Sequence, residues 1–199
     1  MNQAETLSDK LTLLLVGFVL TTILGGLLGA LLQHRSWRYK WDTENSEKVI
    51  STSRELFQEI SRLMDRRLYR VYQFYVWSKR GSEPELKASL ENYRAALADW
   101  NDNINRHLAM LQIYFGQNIR EKFDFEVGHK FVHVGELVED YYRRSDKDDK
   151  ALERSIENEI SDLRGEVYNY NLILLGEIGK KTEHANQRAG LIEDLKNLL

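Results

Sequence analysis

The chain has 199 residues, of which 42% are hydrophobic and 30% are charged, a composition found in folded proteins and not in disordered ones. It contains no cysteine, which excludes disulfide bonds, cysteine-ligated zinc, iron–sulfur clusters and thiol catalysis. The formal net charge of −3 argues against nucleic acid as a partner, and the presence of a single proline favours long helices.

Residues 1–10 form a short polar tail, and the 22 residues that follow, 11–32, carry no charge. A helix of that length extends about 33 Å, which matches the hydrocarbon core of a bilayer. A cleaved signal peptide is the alternative, but it requires a basic start, whereas Glu5 and Asp9 precede this stretch. Residues 11–32 are therefore predicted to be a single transmembrane helix that anchors the chain in the lipid bilayer.

A basic and aromatic segment, residues 33–44, follows the predicted span. Its basic residues include Arg35, Arg38 and Lys40, and its aromatic residues are Trp37, Tyr39 and Trp41. Positive residues collect on the cytoplasmic side of membrane proteins, and Trp and Tyr favour the headgroup layer. The segment is predicted to lie at the membrane interface, with the N-terminus outside and the remaining chain in the cytoplasm.

Small residues recur every four positions within the predicted span. One row contains Gly17, Thr21, Gly25 and Gly29, and the neighbouring row contains Thr22, Gly26 and Ala30. Such rows let transmembrane helices approach closely, so they predict a homo-oligomer, although Gly and Thr are also common in membrane helices without this role. A pore is a sharper form of this hypothesis, in which Gln33, His34 and Arg35 form a polar ring at the cytoplasmic mouth.

Apolar residues at helical spacing predict four further helices, at 45–79, 85–115, 118–144 and 151–181. The breaks between them are Gly81, Gly116 and the polar run 145–150. Short connections force neighbouring helices to run antiparallel. The predicted fold class is all-α: a single N-terminal transmembrane helix followed by an antiparallel four-helix bundle-like cytoplasmic domain, residues 45–181, with a short amphipathic C-terminal helix within residues 182–199.

The third of these helices carries a candidate metal site. Glu126, His129, His133 and Glu136 are separated by three, four and three residues, which places them on one helical face. Carboxylates and imidazoles are common metal ligands, but a metal site in a bundle also needs a second Glu-x-x-His motif, and the chain has none. A solvated polar face is the alternative interpretation, and no cofactor is predicted.

Arginines mark the first helix of the predicted domain. Arg62, Arg66 and Arg70 form a basic stripe, interpreted as a salt-bridged surface because acidic residues are interleaved; RNA, a nucleotide or an acidic partner are alternatives. Arg67 falls between apolar positions and therefore needs a partner. Asp99 is the nearest carboxylate when one counts back through the hairpin, so a buried Arg67–Asp99 pair is predicted.

The second predicted helix contains a polar run at residues 100–107, in which each residue type is a mediocre helix former or carries hydrogen-bonding groups. His107 within this run falls on the apolar side of the helix. A hydrogen-bonded structural histidine is the interpretation, with a ligand or a catalytic base as the alternatives.

No nucleotide-binding loop, nucleophile elbow or metalloprotease motif occurs, and no histidine follows an arginine at the spacing of helical HEPN ribonucleases. The leading hypothesis is a non-enzymatic, homo-oligomeric membrane protein, as a pore-like or signal-gated effector. The general layout resembles that of small membrane effectors in bacterial antiviral systems, including pore-forming CRISPR accessory proteins, in architecture alone. A membrane-tethered enzyme, metal-dependent or nucleolytic, and an adaptor that recruits a cytoplasmic protein partner through the amphipathic tail are the alternatives.

Overall fold

The computed structural model describes the backbone of residues 2–144 and 149–197. Side chains are described for residues 44–144 and 149–187 and for Gly190, together with positions 18, 21–23, 25, 26, 29, 30, 33, 34, 37 and 41. The chain divides into two compact units, Met1–Glu47 and Lys48–Leu199, which are treated separately below.

The described residues are helical almost throughout and contain no strand. The helices are α1 (Asn2–Arg80), α2 (Glu83–Phe115), α3 (Gln117–Glu121), a π-helical segment π1 (Lys122–Gly128), α4 (His129–Arg143) and α5 (Lys150–Asn197). The all-α prediction is therefore confirmed.

The sequence predicts one transmembrane helix, at residues 11–32. Within the part of the chain that the structure describes, no helix combines the length and the apolar character needed to cross a membrane. Most side chains of residues 11–32 lie outside the described ones, including those of Leu11 and Leu32.

The helix boundaries follow from local capping chemistry. Gly81 ends the first hairpin arm with its N–H bonded to the Trp77 carbonyl at 2.8 Å, and a Cβ there would lie 2.5 Å from that oxygen. Ser82 and Glu85 form a capping box at the start of α2. Gly116 separates α2 from α3 and has φ = 91°, a backbone conformation that residues with a Cβ rarely adopt. The predicted breaks at Gly81 and Gly116 are confirmed.

The second unit has one continuous aromatic and aliphatic core to which all of its helical segments contribute; α3 contributes only the partly buried Ile119. Representative fully buried residues are Ile60, Phe74, Leu111, Phe123, Val127, Phe131, Val138, Ile156, Leu163 and Tyr170. The Trp100 ring packs against both Phe123 and Phe131, with centroids 5.5 Å and 5.1 Å away. Burial of this apolar surface stabilises the helices, which in isolation are marginal.

Contacts within this unit show how its helices run. Between α1 and α2 the pairs are Glu59–Arg106, Arg66–Asp99 and Phe74–Tyr93, so the numbers rise on one helix as they fall on the other. The same holds for α4 and α5, through Lys130–Glu159 and Tyr141–Glu153, and for α1 and α5, through Tyr75–Glu157 and Ser53–Lys181. These contacts are antiparallel, as the short loops predict.

Two details differ from the prediction. The third helix is not uniform, because α3 and α4 are joined through the π-helical turn of residues 122–128. The predicted separate C-terminal helix is also wrong, since α5 continues without a break from Lys150 to Asn197. Gly179 and Gly190 do not end it, because a helical glycine costs only about 1 kcal/mol and no proline follows.

Candidate functional site

The residues predicted to act in the membrane belong to the first unit and are described in part. Gly25, Gly26 and Gly29 have open space where a Cβ would stand, and Thr21, Thr22 and Ala30 are exposed. Trp37 and Trp41 are exposed and stack on each other, with centroids 6.4 Å apart. Gln33 and His34 are exposed too. The side chains of Gly17, Arg35, Arg38, Tyr39 and Lys40 lie outside the described ones.

The candidate metal residues are not brought together as a metal site. Glu126 is paired with Lys122 at 3.0 Å, and the His129 ring packs edge-on against Phe125. His133 lies 4.0 Å from Glu159, whose carboxylate is bound by Lys130 at 2.7 Å. Among the described side chains, no group of three or more His, Asp or Glu is arranged to hold a metal ion.

The backbone accounts for the departure of Glu126 from the predicted face. Glu126 belongs to the π-helical segment, while His129, His133 and Glu136 belong to α4. The predicted common face assumed the α-helical period of 3.6 residues, which a π-helical turn does not keep. The structure therefore gives the metal hypothesis for these four residues no support.

The predicted Arg67–Asp99 pair is also wrong, by one residue. Asp99 binds Arg66, with the guanidinium Nη1 2.7 Å from the carboxylate Oδ2. Arg67 is buried and lies over two aromatic rings instead, 4.5 Å from the Trp100 centroid and 4.9 Å from that of Phe131. Cation–π attraction replaces the expected ion pair, and burial lowers the pKa of Arg67 to about 10 despite the opposing influence of Tyr93.

A polar groove of about 480 Å³ lies between α1 and α2 and is the best candidate for a binding site in the second unit. Its α1 wall carries Glu55, Gln58, Glu59, Arg62, Leu63 and Arg66, and its α2 wall carries Asp99, Asn103, Arg106 and His107. The groove forms because outward positions of two antiparallel helices meet along their seam. Its lining is almost entirely polar, and charges of opposite sign face each other across it, Glu59 with Arg106 and Arg66 with Asp99.

His107 is the most buried polar residue of this groove, with 3% of its surface exposed. Its Nε2 lies 3.2 Å from Glu59 Oε2 and 3.2 Å from an Nη of Arg106, which itself is 3.0 Å from Glu59. The hydrogen bond with His107, followed by the charge of Arg106, holds the pKa of Glu59 below its ordinary value against the effect of partial burial. The structural interpretation of His107 agrees with this network.

The polar groups of the groove are largely engaged with one another. The Nε2 of His107 lies within hydrogen-bond distance of both Glu59 and Arg106, and it can donate to the first or accept from the second but not both at once. Its Nδ1 is buried and has no hydrogen-bond partner among the described residues. The described lining contains no Ser, Thr, Cys or Lys that could act as a nucleophile. Charged and amide groups here suit a polar ligand or a polar protein surface.

The three arginines of the basic stripe differ in their partners. Arg66 is neutralised by Asp99, and Arg70 donates to Gln73 Oε1 at 2.7 Å while lying over the Tyr69 ring. Arg62 is exposed and has neither a hydrogen bond nor an ion pair in the described part of the chain. Of the three arginines in the stripe, Arg62 is therefore the one available to bind an anion in the groove.

Sequence reasoning missed the α2 side of the groove, namely Asn103 and Arg106, and the role of Glu59. Asn103 Nδ2 donates to Asp99 Oδ1 at 3.1 Å, which fixes the carboxylate that Arg66 binds. The available signal was the hairpin register, because residues equally distant from the junction of Ser82 and Glu83 lie opposite each other. That register located the region of Asp99 but not the side of the helix on which each arginine lies.

Comparisons of the chain with protein-family models, with curated protein sequences and with solved structures find no significant match.

Proposed function

We propose that this chain is a non-enzymatic, single-pass membrane protein that forms homo-oligomers through its membrane helix, with the N-terminus outside and the helical domain in the cytoplasm. The observation that carries the proposal is the run of 22 uncharged residues, 11–32, which ends in a basic and aromatic segment. The oligomer acts as a signal-gated effector whose α1–α2 groove receives the signal.

The described side chains of the span support a lipid environment. Phe18 and Ile23 are exposed large apolar residues, with 71% and 56% of their surfaces accessible. The hydroxyls of Thr21 and Thr22 donate to the Phe18 carbonyl at 2.9 Å and 2.8 Å. A polar group in lipid must be satisfied within its own helix, and these two hydroxyls are.

The open glycines support self-association. Gly25, Gly26 and Gly29 each have space for a Cβ within their own unit, so nothing described there requires glycine. A second membrane helix that approaches closely does require it, because small side chains let the two backbones pack together. This is the reason for proposing a homo-oligomer and not a solitary anchor.

The test is the mass of the full-length protein in mild detergent, measured by light scattering after gel filtration. We expect an oligomer for the natural sequence and a shift towards monomer for the double variant Gly25→Leu, Gly29→Leu. The control Ile23→Phe adds bulk outside the two small-residue rows and leaves the mass unchanged. A natural sequence that is strictly monomeric overturns the proposal.

Pore formation is a further part of the proposed effector function and has its own test. Liposomes that contain the full-length protein and a trapped dye are expected to leak, and the double glycine variant is expected to leak less. Liposomes that stay tight while the protein is oligomeric would leave the anchor and the oligomer standing but remove the pore. The orientation is tested by protease protection in membrane vesicles of known sidedness.

A further inference from the structure

One side of the exposed surface of α5 is apolar. Over five turns this side carries Ser161, Gly165, Tyr168, Leu172, Leu175, Gly176 and Gly179, which we call the α5 face, and the exposed polar residues Asp162, Arg164 and Asn169 lie along its edges. Tyr168, Leu172 and Leu175 expose 63%, 49% and 48% of their surfaces. The opposite side of the same helix supplies the core residues Leu163, Val167, Tyr170 and Leu174.

The glycines of this face have no role inside the bundle. A Cβ at Gly165, Gly176 or Gly179 would meet nothing within 4 Å. Each glycine inside a helix lowers stability by about 1 kcal/mol relative to alanine. Gly135 shows the contrast, because a Cβ there would lie 2.6 Å from the Tyr93 hydroxyl. Packing within the described part of the chain therefore does not require glycine at these positions, and they leave room for a contact outside it.

From these observations we infer that the α5 face is an interface between two copies of this chain, packed antiparallel about a twofold axis at Leu172. The axis places Gly165 opposite Gly179 of the second copy, because each lies seven positions from Leu172. Tyr168 then enters the hole formed by Leu172, Leu175, Gly176 and Gly179 of the second copy. The absence of side chains at Gly176 and Gly179 leaves room for the Tyr168 ring.

The charges at the ends of the face agree with this arrangement. Arg164 is exposed and has no ion pair among the described residues, and Glu183 accepts only from Gln187 there, at 3.3 Å. In the antiparallel pair these two residues of different copies lie within about 5 Å of each other along the helix axis, inside the reach of an arginine. Twofold symmetry makes this attraction occur twice.

The size of the contact explains why it depends on the oligomer. Two helices in contact from Ser161 to Glu183 form a strip about 35 Å long and about 10 Å wide, or roughly 350 Å² on each copy. Stable interfaces bury about 800 Å² on each partner. The α5 contact is therefore weak alone and rests on the proposed homo-oligomer, which raises the local concentration of the second copy.

Single cysteines test this inference, because the natural chain has none. Full-length Leu172→Cys in detergent is expected to form a disulfide-linked dimer on mild oxidation, about tenfold faster than the control Asp162→Cys, since the two sulfur atoms meet at the axis. Asp162 is also exposed on α5 but lies off the α5 face. Equal rates for the two variants overturn the inference.

A second measurement fixes the direction of packing. Gly165→Cys and Gly179→Cys are expected to cross-link rapidly when the two proteins are mixed and slowly when each is alone. Rapid linking of each variant alone indicates a parallel pair and contradicts the inference. If light scattering shows an oligomer but Leu172→Cys does not cross-link, the α5 interface is wrong and the membrane proposal stands. If Leu172→Cys cross-links but the double variant Gly25→Leu, Gly29→Leu has the same mass as the natural sequence, the α5 interface stands and association through the membrane helix is wrong.

Discussion

Arg67 illustrates how a buried charge is held without an ion pair. Its guanidinium is covered by the faces of Trp100 and Phe131, and no carboxylate contacts it among the described residues. The pKa falls from an ordinary 12.5 to about 10, which means that burial disfavours the charged form by about 3 kcal/mol. Cation–π attraction of about 2 kcal/mol offsets most of this.

The first prediction follows from that near balance. Arg67→Met keeps an unbranched side chain on the two rings and removes the charge, so the free energy of unfolding at pH 7 should stay within about 1 kcal/mol of the natural value or rise. Arg67→Ala leaves a void and should lower it by about 2 kcal/mol. Urea titration checks both. A loss above about 2 kcal/mol for Arg67→Met would show that the charge itself stabilises the core.

Glu153 is the opposite case, a buried carboxylate with several partners. Lys79 Nζ lies 2.8 Å from it, Lys150 Nζ lies 3.3 Å from it, and the Tyr141 hydroxyl donates to it at 3.1 Å. The bond from Lys79, followed by those from Lys150 and Tyr141, holds the pKa of Glu153 below its ordinary 4.5 despite burial. The network joins α1, α4 and α5 at one end of the core.

The second prediction concerns acid stability. A carboxylate whose pKa is lower in the folded state contributes stability that is present above pH 4.5 and is lost as the pH falls through the folded pKa. Glu153→Gln should therefore lower the urea midpoint at pH 7 and flatten its decline between about pH 5 and pH 3. Glu91→Gln, at an exposed position of α2, is the control. Identical acid profiles for natural protein and Glu153→Gln would contradict the assignment.

At the scale of elements, the π-helical segment π1 is the feature that the sequence did not predict, because residues 118–144 were expected to form one regular α-helix. Its seven residues, Lys122–Gly128, bury Phe123 and Val127 while Phe125 is 56% exposed. Buried positions 123, 127 and 131 are spaced by four and four, so a regular α-helix would spread them over about 80° of its circumference. The π-helical turn absorbs one extra residue and brings the three closer to one line facing the core.

The third prediction is that removing Phe125 converts the segment to α-helix at little cost. The spacing from Phe123 to Val127 becomes three, which α-helix accommodates, so the free energy of unfolding should change by less than about 1 kcal/mol. Removing Val132 from α4 is the matched control, because it rotates the following core residues by about 100° and should cost more than about 3 kcal/mol. Thermal unfolding followed by circular dichroism distinguishes them, and equal losses would refute the explanation.

At the scale of the whole second unit, Lys181 connects helices that are distant in the sequence. Its ammonium donates to Ser53 Oγ at 2.9 Å and to the Tyr114 carbonyl, and it lies 4.3 Å from the Phe115 ring centroid. The residue separations are 128 and 67, so α1, α2 and α5 are joined at one point. Burial lowers the pKa of Lys181 in spite of nearby Glu177.

The fourth prediction measures this connection. Lys181→Met removes both hydrogen bonds and leaves the Tyr114 carbonyl at the end of α2 without its partner, so it should lower the free energy of unfolding by about 1–2 kcal/mol. Lys180→Met is the control, since Lys180 is exposed and pairs only with Glu177 at 2.6 Å. Its effect should be below about 0.5 kcal/mol. Similar values for both variants would show that Lys181 does not join the helices.

The sequence by itself determined the helices and most of their ends. Helix formation depends on neighbours within about four residues, so the apolar period and the glycines at Gly81 and Gly116 were sufficient. The antiparallel order followed from short loops. The uncharged stretch of residues 11–32 likewise carries the membrane proposal without help from packing.

Only the tertiary structure decided which side chains meet. A shift of one residue turns a helical side chain by about 100°, so the same hairpin register that predicted Arg67–Asp99 produces Arg66–Asp99 and sends Arg67 to Trp100. The π-helical turn, the outward position of the α5 face and the contact of Lys181 with Ser53 depend on rotation and axial position of packed helices. The rotation and axial position of each helix are set by the packing of the whole core, and this packing cannot be inferred from the pattern of residues within one helix.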